Sequence, residues 1–268
     1  MIAFKPIDLS DKETVQKYTL CSPLFRFYAD GQLAYMMPVG EGSDIRPVIE
    51  ALMEDAKSQG ALFRLLGVCA NMRAELENAF PDRFNFVSDR DYADYIYLRS
   101  DLSTLKGKKF QPKRNHLNKF RSNYPNYTYK PLTSDLIPAC LELETQWCRA
   151  NNCAENQALE NERRSMTAAL QHLEQLDVIG GVLYVEDEIV AFTFGAPINQ
   201  TTFDTCVEKA NTAVEGAYAM INYEFANHIP SQYIYINREE DLGLEGLRKA
   251  KLSYQPEVIL EKYMAELK

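Results

Sequence analysis

The spacing of hydrophobic residues in the first hundred positions predicts helices and strands in alternation. Between 45 and 56, apolar residues recur every three or four positions, which is typical of one face of a helix. The segments 62–68, 84–87 and 92–98 are instead rich in aliphatic and aromatic residues and predict strands. This part of the chain is therefore predicted to be an α/β unit. It carries no catalytic motif, and we interpret it as a scaffold.

The second half begins with two predicted helices and a β-hairpin. One apolar face marks a helix at 137–148 and another a helix at 159–173. Two strands at 181–185 and 189–195 flank an acidic turn. Glu144 lies within the apolar stripe of the first of these helices. A carboxylate there needs a cationic partner or a chemical role, and both alternatives stay open.

The segment that follows the hairpin carries the functional prediction. A strand at 202–207 leads through a loop into a helix that begins near Gly216 and Ala217, and a second strand lies at 233–236. Two strands joined through a helix predict parallel neighbours with a right-handed crossover. The loop after the first strand and the helix N-terminus are where such sheets bind anionic or acyl ligands.

Charge is distributed unevenly along the chain. The net charge is −9, which argues against a general nucleic-acid coat, so DNA is not an expected partner. Residues 102–134, here called the basic segment, nevertheless contain eight Lys or Arg and no Asp or Glu. Its middle is predicted to be a helix. This segment is either a solvated linker helix or a wall that faces the phosphates of a donor, and four of its cations are the candidates for donor binding: Lys109, Lys113, Arg114 and Lys119.

The bulk composition limits the class of protein. A chain of 268 residues with 46% hydrophobic and 25% charged residues can bury a core and form one large or two ordinary domains. No apolar run approaches the roughly 18 residues of a membrane span. The N-terminal residues lack an export signal, so we expect a cytoplasmic protein. The six cysteines show no metal-binding spacing, and we expect no structural metal.

Five motifs connect the chain to a known group. They are KGKKFQPKRNHLNKF at 106–120, LELETQWC at 141–148, GGVLYVEDEIVAFTFG at 180–195, VEKA at 207–210 and INREEDLGLEGLRKAKLSY at 236–254. Together they resemble bacterial proteins related to the C-terminal domain of phosphatidylglycerol lysyltransferase, within the Gcn5-related N-acetyltransferase superfamily. The resemblance implies an α/β fold with mixed sheets and two acetyltransferase-like lobes. The degenerate first lobe would span 1–105, and the second, completed by a strand at 258–263, would span 106–268.

The resemblance also implies a reaction. Lysyltransferase relatives take an aminoacyl group from a charged transfer RNA, and other relatives use acyl-coenzyme A. We therefore expect an acyl- or aminoacyltransferase that acts on a small-molecule or peptide amine, with either donor as co-substrate and no tightly bound cofactor. The loop 211–218 departs from the coenzyme A pattern because it has a single glycine, Gly216, beside the acidic Glu215. The alternative is a non-catalytic binding module of the same fold that holds a charged small molecule or tRNA.

Acyl transfer to an amine requires a group that accepts a proton and a group that returns one. Glu208, at the end of the first parallel strand, is the leading candidate for a catalytic carboxylate, and Glu144 is a further candidate. Tyr254 lies where the superfamily often has a tyrosine that protonates the leaving group. The alternative for Glu208 is a structural ion pair with a lysine. The lysines considered for it are Lys209, Lys249 and Lys251.

The last motif supplies the candidates for substrate binding. Charged residues of both signs surround Gly243 in the segment 237–243, and a short helix with two lysines follows. These residues either contact the substrate or form a salt-bridge network that holds the last strand. The candidates are Asn237, Arg238, Asp241, Lys249 and Lys251.

Overall fold

A computed structural model describes residues 5, 7–12, 24–29, 31–38, 44–151 and 157–268 of the chain. The chain divides into two compact units. The first comprises Met1–Asp94, Glu240–Arg248 and Ile259–Lys268, and the second comprises Tyr95–Glu239 and Lys249–Val258. This division differs from the predicted boundary at residue 105, because the chain returns to the first unit twice after leaving it.

Helices and strands alternate through the described residues. The strands are β1 (Arg26–Ala29), β2 (Gln32–Met36), β3 (Arg64–Val68), β4 (Phe84–Ser88), β5 (Asp94–Leu98), β6 (Thr128–Pro131), β7 (Ile179–Val185), β8 (Glu188–Pro197), β9 (Thr202–Ala210), β10 (Tyr235–Asn237), β11 (Val258–Leu260) and β12 (Tyr263–Leu267). The helices are α1 (Arg46–Ser58), α2 (Ala70–Ala79), α3 (Arg99–Thr104), α4 (Gln111–Asn123), α5 (Ile137–Ala150), α6 (Gln157–Gln171), α7 (Ala217–His228) and α8 (Glu245–Leu252). The predicted α/β class with mixed sheets is confirmed.

The first unit is built on a five-stranded sheet with the order β1–β2–β3–β12–β4. Its core includes the inner face of α1, where Ile49 and Leu52 are fully buried. The last strand, β12, pairs antiparallel with both β3 and β4, so that Ala265 lies opposite Leu65 on one side and Phe86 on the other. The predicted strand at 258–263 is confirmed over Val258–Leu260, which forms β11 in the second sheet, and is wrong at its end, because Tyr263 begins β12, which completes the first sheet.

The second unit is built on a larger sheet with the order β5–β10–β9–β8–β7–β6, and β11, which begins at Val258, lies at the β5 edge. Helices cover both faces of this sheet. Apolar residues of α4 and α7, such as Phe120 and Phe225, pack on one face. Residues of α5 and α6, such as Leu143 and Leu170, pack on the other face. None of the helices within the described ranges has the length and apolar character needed to cross a membrane.

The strands β9 and β10 are parallel and are joined through α7, as the sequence predicts. Their pairing is short. It places residues 202–204 opposite 235–237, whereas β9 remains paired with β8 as far as Ala210. The carboxyl-terminal half of β9 therefore extends beyond the end of β10. Side chains of this half of β9 can contact side chains of the residues that directly follow β10.

Candidate functional site

The centre of the candidate site is an ion pair between Glu208 on β9 and Arg238, which directly follows β10. Arg238 Nη2 donates to Glu208 Oε1 at 2.9 Å, and the two side chains are only 12% and 11% exposed. The partner of Glu208 is thus Arg238, and the lysine partners considered from the sequence are corrected. Lys209 projects to the opposite face of β9 because successive residues of a strand alternate.

Two buried polar atoms beside this pair have no hydrogen-bond partner within the described part of the chain. They are Arg238 Nη1 and Asn222 Oδ1. The orientation of the Asn222 amide follows from its other contact, because Nδ2 donates to Glu208 Oε2 at 3.3 Å and a flipped amide would place two acceptors together. Buried polar atoms are normally satisfied, so this cluster offers one unused donor and one unused acceptor to a polar ligand.

Two tyrosine rings form the apolar wall of the cluster. The Arg238 guanidinium carbon lies 5.1 Å from the ring centre of Tyr254 and 5.9 Å from that of Tyr97. Lys113 Nζ lies 3.9 Å from the Tyr254 ring centre, so two cations share one aromatic ring. Tyr254 is buried, and burial raises the pKa of its phenol although Arg238 opposes the shift. Its predicted role as an acid stays a prediction.

Lys113 is the cation of the basic segment that reaches this cluster. Burial lowers the pKa of Lys113 to about 8, and repulsion from Arg238 acts in the same direction. The negative charge of Glu208 partly opposes the shift. A lysine with this pKa is uncharged in an appreciable fraction of molecules near neutral pH, and it can therefore take up and release protons there.

Two other cations of the basic segment form exposed ion pairs instead. Lys109 Nζ lies 2.9 Å from Asp101 Oδ2, and Lys119 Nζ lies 2.7 Å from Glu215 Oε1. Pairs at this level of exposure contribute little to stability. This arrangement differs from the expected single wall of cations, and donor contacts from Lys109 and Lys119 stay predictions.

Arg114 has a local contact as well. Its Nη1 donates to the backbone oxygens of Leu105 and Gly107, the latter at 2.7 Å, and its Nη2 donates to Gln111 Oε1 at 2.6 Å. Leu105 ends α3 in a left-handed conformation with φ 47°. Arg114 therefore stabilises the turn between α3 and α4, because it satisfies carbonyls that the helix end leaves unpaired.

The predicted donor-binding residues Gly216 and Ala217 lie at the start of α7. Gly216 precedes the helix with φ 87°, and a Cβ atom there would lie 3.1 Å from Phe120 Cβ and 3.3 Å from the His116 oxygen. Ala217 is buried. The N-terminus of α7 thus packs directly on α4, which sets its position beside the cluster.

The opposite face of β9 carries a second group of buried charges. Glu144 pairs with Arg163 at 3.1 Å, and burial raises the pKa of the Glu144 carboxyl although Arg163 opposes the shift. Lys209 Nζ lies 3.0 Å from Glu162 Oε1 and 3.6 Å from the ring centre of Trp147. The ion-pair alternative for Glu144 therefore has a specific partner, and its catalytic role stays a prediction.

The segment 237–239 is fixed from within the second unit. Asn237 Oδ1 accepts a hydrogen bond from the Glu239 N–H at 2.9 Å. Lys251 is buried, and its Nζ donates to the backbone oxygens of Arg238 and Glu239, the latter at 3.1 Å. Lys251 thereby holds the backbone that presents Arg238 to Glu208. Contact of Asn237 and Lys251 with a substrate stays a prediction.

The remaining two substrate candidates are Asp241 and Lys249, and contact of either with a substrate stays a prediction. Asp241 belongs to the first unit, is fully buried and accepts from Arg248 Nε at 2.8 Å. Lys249 is exposed on α8. In the first unit, an open depression is lined by residues of α2 and β4, and none of the predicted site residues lines it. Within the described ranges, no group of three or more His, Cys, Asp and Glu is placed to hold a metal ion.

Comparison with known proteins identifies the chain at the level of the family. The family described as phosphatidylglycerol lysyltransferase, C-terminal, matches residues 16–266. The chain belongs to this family. The expected kinship with the lysyltransferase C-terminal domain is thereby confirmed.

Solved structures agree with this assignment. A conserved protein of unknown function from Bacteroides thetaiotaomicron VPI-5482 is 56% identical, with a TM-score of 0.96 over 100% of both chains. L-PGS from Bacillus licheniformis is 16% identical, with a TM-score of 0.63 over 91% of this chain and 80% of that one. The C-terminal domain of a putative lysylphosphatidylglycerol synthetase from Agrobacterium fabrum is 14% identical, with a TM-score of 0.65 over 92% and 82%. The chain therefore has the acyltransferase-like fold of the lysyltransferase family.

A curated relative shows the same kinship at the level of sequence. An uncharacterized protein from Mycoplasmoides gallisepticum is 25% identical over 175 residues, which cover 65% of this chain. The alignment spans 56% of that relative's own length.

The sequence does not predict four of the residues described above: Asn222, Tyr97, Trp147 and Tyr218. Asn222 and Tyr97 lie inside apolar patterns and are unremarkable as single letters of the sequence. Tyr218 directly follows the predicted Gly216-Ala217, and Trp147 is the single tryptophan of the chain. The position of Tyr218 beside the predicted loop and the single occurrence of tryptophan are the two sequence features that could have identified these residues.

Proposed function

We propose that the protein transfers an aminoacyl group from aminoacyl-tRNA to an amine, and that Glu208 and Arg238 in the second unit form the centre of the active site. The observation that supports this proposal is the buried pair with its unused Arg238 Nη1 and Asn222 Oδ1. Burying an ion pair is costly, and apolar residues of similar size would stabilise a core at least as well. A buried pair that leaves polar atoms unsatisfied is therefore better explained by ligand binding than by folding.

The unused atoms match the groups that such a reaction brings together. Arg238 Nη1 can donate to an oxygen of the substrate. Asn222 Oδ1 and the Glu208 carboxylate can accept from the N–H groups of an amine. Glu208 also attracts the amine in its protonated form. The pair can thus orient both reaction partners beside the Tyr254 ring, which excludes water from one side.

Lys113 is the group best matched to proton transfer near neutral pH, because its pKa is lowered to about 8. In the proposed step, the amine nitrogen attacks the ester carbonyl, a C–N bond forms and the C–O bond to the ribose breaks. The proton lost by the amine passes to uncharged Lys113. Lys113 then gives this proton to the ribose oxygen as the C–O bond breaks, so that Lys113 is uncharged again and the protons balance over the step.

Aminoacyl-tRNA is the donor that the observations favour over acyl-coenzyme A. The family takes its description from a lysyltransferase, and the loop 211–218 contains a single glycine. That glycine, Gly216, is packed against Phe120 and the His116 backbone, so the glycine does not contribute an open cradle for a pyrophosphate. Lys106 and Lys108 of the basic segment are exposed and can contact tRNA phosphates.

The test is a transfer assay with aminoacyl-tRNA and a panel of primary amines that includes ethanolamine, putrescine, free lysine and short lysine peptides. Loss of the ester and formation of the amide are both measured, and a parallel arm uses acetyl-coenzyme A. We expect the wild-type protein to accelerate transfer from aminoacyl-tRNA. We expect Glu208→Gln to reduce turnover by about 100-fold or more. Glu188→Gln, which changes an exposed carboxylate at the start of β8, is the matched control.

Two results would overturn the proposal in different ways. Turnover with acetyl-coenzyme A alone would replace the donor and keep the reaction class. Absence of turnover with both donors, together with tRNA binding that Glu208→Gln weakens, would assign the chain to the non-catalytic binding modules.

A further inference from the structure

Tyr218 is the second residue of α7, and a side chain of another helix holds its hydroxyl group in place. Trp147 Nε1 lies 2.7 Å from the Tyr218 oxygen. An indole nitrogen can only donate, so the phenolic oxygen is the acceptor in this bond. Helix α5, which carries Trp147, therefore holds the hydroxyl in place.

The bond from Trp147 does not use the hydroxyl proton of Tyr218. A phenolic hydroxyl accepts at most two hydrogen bonds and donates one. The bond from Trp147 occupies one acceptor position of Tyr218 and leaves the hydroxyl proton available to a ligand. An incoming hydrogen bond stabilises negative charge on the oxygen and strengthens donation by the O–H, although burial raises the pKa of the phenol to about 12. The side chain is half-buried to exposed, with 36% of its surface accessible, so a ligand can reach it.

The contact behind Trp147 supports this arrangement. Lys209 Nζ lies 3.6 Å from the centre of the indole ring and is held there by Glu162 at 3.0 Å. A cation over the ring draws electron density from it and strengthens donation by the indole N–H. The order of contacts is Glu162, Lys209, Trp147 and then Tyr218, and each member is fixed by the one before it.

Tyr218 also lies where an acyl group would be held. It follows the loop between β9 and α7, at the positive end of the helix dipole, and it lies one helical turn before Asn222, whose amide donates to Glu208. We propose that Tyr218 is a catalytic residue whose O–H donates to the carbonyl oxygen of the transferred acyl group, and that Trp147 is a positioning residue. This inference rests on the proposed function. It gives the acyl oxygen a hydrogen-bond donor in addition to Arg238 Nη1.

The test compares Tyr218→Phe with Tyr223→Phe in the aminoacyl-tRNA transfer assay. Both variants remove one hydroxyl from α7, and Tyr223 has no part in the proposed site. A donor to the developing oxyanion acts mainly in the transition state, so we expect Tyr218→Phe to lower kcat by about 100-fold. The KM for aminoacyl-tRNA should change by less than about twofold. Trp147→Phe, which keeps the ring and loses the N–H, should lower kcat by about tenfold or less with the same split.

The single tryptophan supplies a second readout that does not depend on turnover. Tryptophan emission reports on Trp147 alone, so aminoacyl-tRNA should shift the emission of the wild-type protein more than deacylated tRNA does. The difference should be lost in Tyr218→Phe and retained in Tyr223→Phe. Normal wild-type turnover with equal kcat in Tyr218→Phe would overturn this inference and leave the proposed function intact. Absence of wild-type turnover would overturn the proposed function and, with it, this inference.

Discussion

Two arginine–carboxylate clusters, one in each unit, use the same chemical groups in different ways. In the first unit, Arg248 Nε and Nη2 donate to the two oxygens of Asp241 at 2.8 and 2.7 Å, and Nη2 also donates to Asp91 at 2.5 Å. In the second unit, Arg238 reaches Glu208 through Nη2 at 2.9 Å. Its Nη1 is buried and, among the described residues, has no partner.

The difference separates a cluster that holds the chain from one that can hold a ligand. The bonds from Asp241 and Asp91 raise the pKa of Arg248, and Asp241 also accepts from the Gly243 N–H at 3.0 Å. This cluster connects the turn after β4 with the start of α8. The Arg238 cluster connects less of the backbone. Within the described residues, it leaves Arg238 Nη1 and Asn222 Oδ1 without a hydrogen-bond partner. Residue type alone does not distinguish the two clusters, whereas the unsatisfied atoms do.

The largest effect should come from removing Arg238. Arg238→Met leaves the Glu208 carboxylate buried without its cation, so we expect the free energy of unfolding to fall by about 3–5 kcal/mol. Arg248→Met should reduce the free energy of unfolding by less, because Asp241 keeps the Gly243 N–H and Arg90 at 3.5 Å. Urea denaturation of each variant at pH 7 measures both values.

A double variant sharpens this comparison. Glu208→Leu with Arg238→Met replaces the pair by apolar groups, which is often neutral or stabilising for a buried ion pair. We expect the double variant to regain most of the stability lost in Arg238→Met and to regain no transfer activity. A double variant as unstable as Arg238→Met would indicate that the pair is required for folding, like the Arg248 cluster.

Two glycines test the backbone around the clusters. Gly243 has φ 73°, and an added Cβ would lie 2.5 Å from Asp91 Oδ2, whereas Gly216 has φ 87° and its Cβ would lie 3.1 Å from Phe120 Cβ. Because the left-handed conformation disfavours a side chain, each change to alanine should destabilise by about 1–2 kcal/mol. Gly246→Ala is the control, since that glycine lies in α8 with open space around it. Thermal unfolding should show two lowered midpoints and an unchanged or raised midpoint for the control.

Lys113 should make stability depend on pH in a particular window. Its pKa is about 8 in the folded protein and near the ordinary 10.5 in the unfolded chain. Between these values the unfolded state binds more protons, so this group makes the free energy of unfolding rise with pH. Relative to Lys113→Met, the wild-type protein should gain stability from pH 8 to 10.5. The exposed Lys108→Met serves as control, and parallel stability curves for the wild-type protein and Lys113→Met would contradict the prediction.

The smallest effect should come from the exposed pair of Lys119 with Glu215. We expect Lys119→Ala to change the free energy of unfolding by less than about 0.5 kcal/mol, because solvent screens such pairs. A double-mutant cycle with Glu215→Ala measures the coupling. A coupling above about 1 kcal/mol would indicate that this pair helps to fix the N-terminus of α7.

Much of the fold could be predicted because it depends on local patterns. The hairpin β7–β8 and the crossover β9–α7–β10 follow from alternation, turn residues and the helix pattern between them. The assignment of β12 could not be predicted. A short strand carries no information about which of two sheets it joins, and its partners β3 and β4 lie far away along the chain.

The same distinction applies to the candidate site. The sequence predicts a separate role for each of the three central residues. These roles are catalysis for Glu208, substrate binding for Arg238 and donor binding for Lys113. Their convergence depends on how β9, the end of β10 and α4 pack, and residue spacing does not encode it. The bond between Trp147 and Tyr218 joins residues 71 positions apart, so no local pattern could have suggested it.

The position of β12 affects how the chain can fold during synthesis. β4 is attached to the first sheet through β12, which lies between it and β3. Until residues 263–267 leave the ribosome, this sheet has a gap between β3 and β4, and β4 has no ladder partner among the described strands already made. The first unit to be translated is therefore the last to be completed, while the sheet of β5–β10 can assemble earlier. Nascent chains stalled before residue 263 should accordingly expose the edges of β3 and β4 to chaperones.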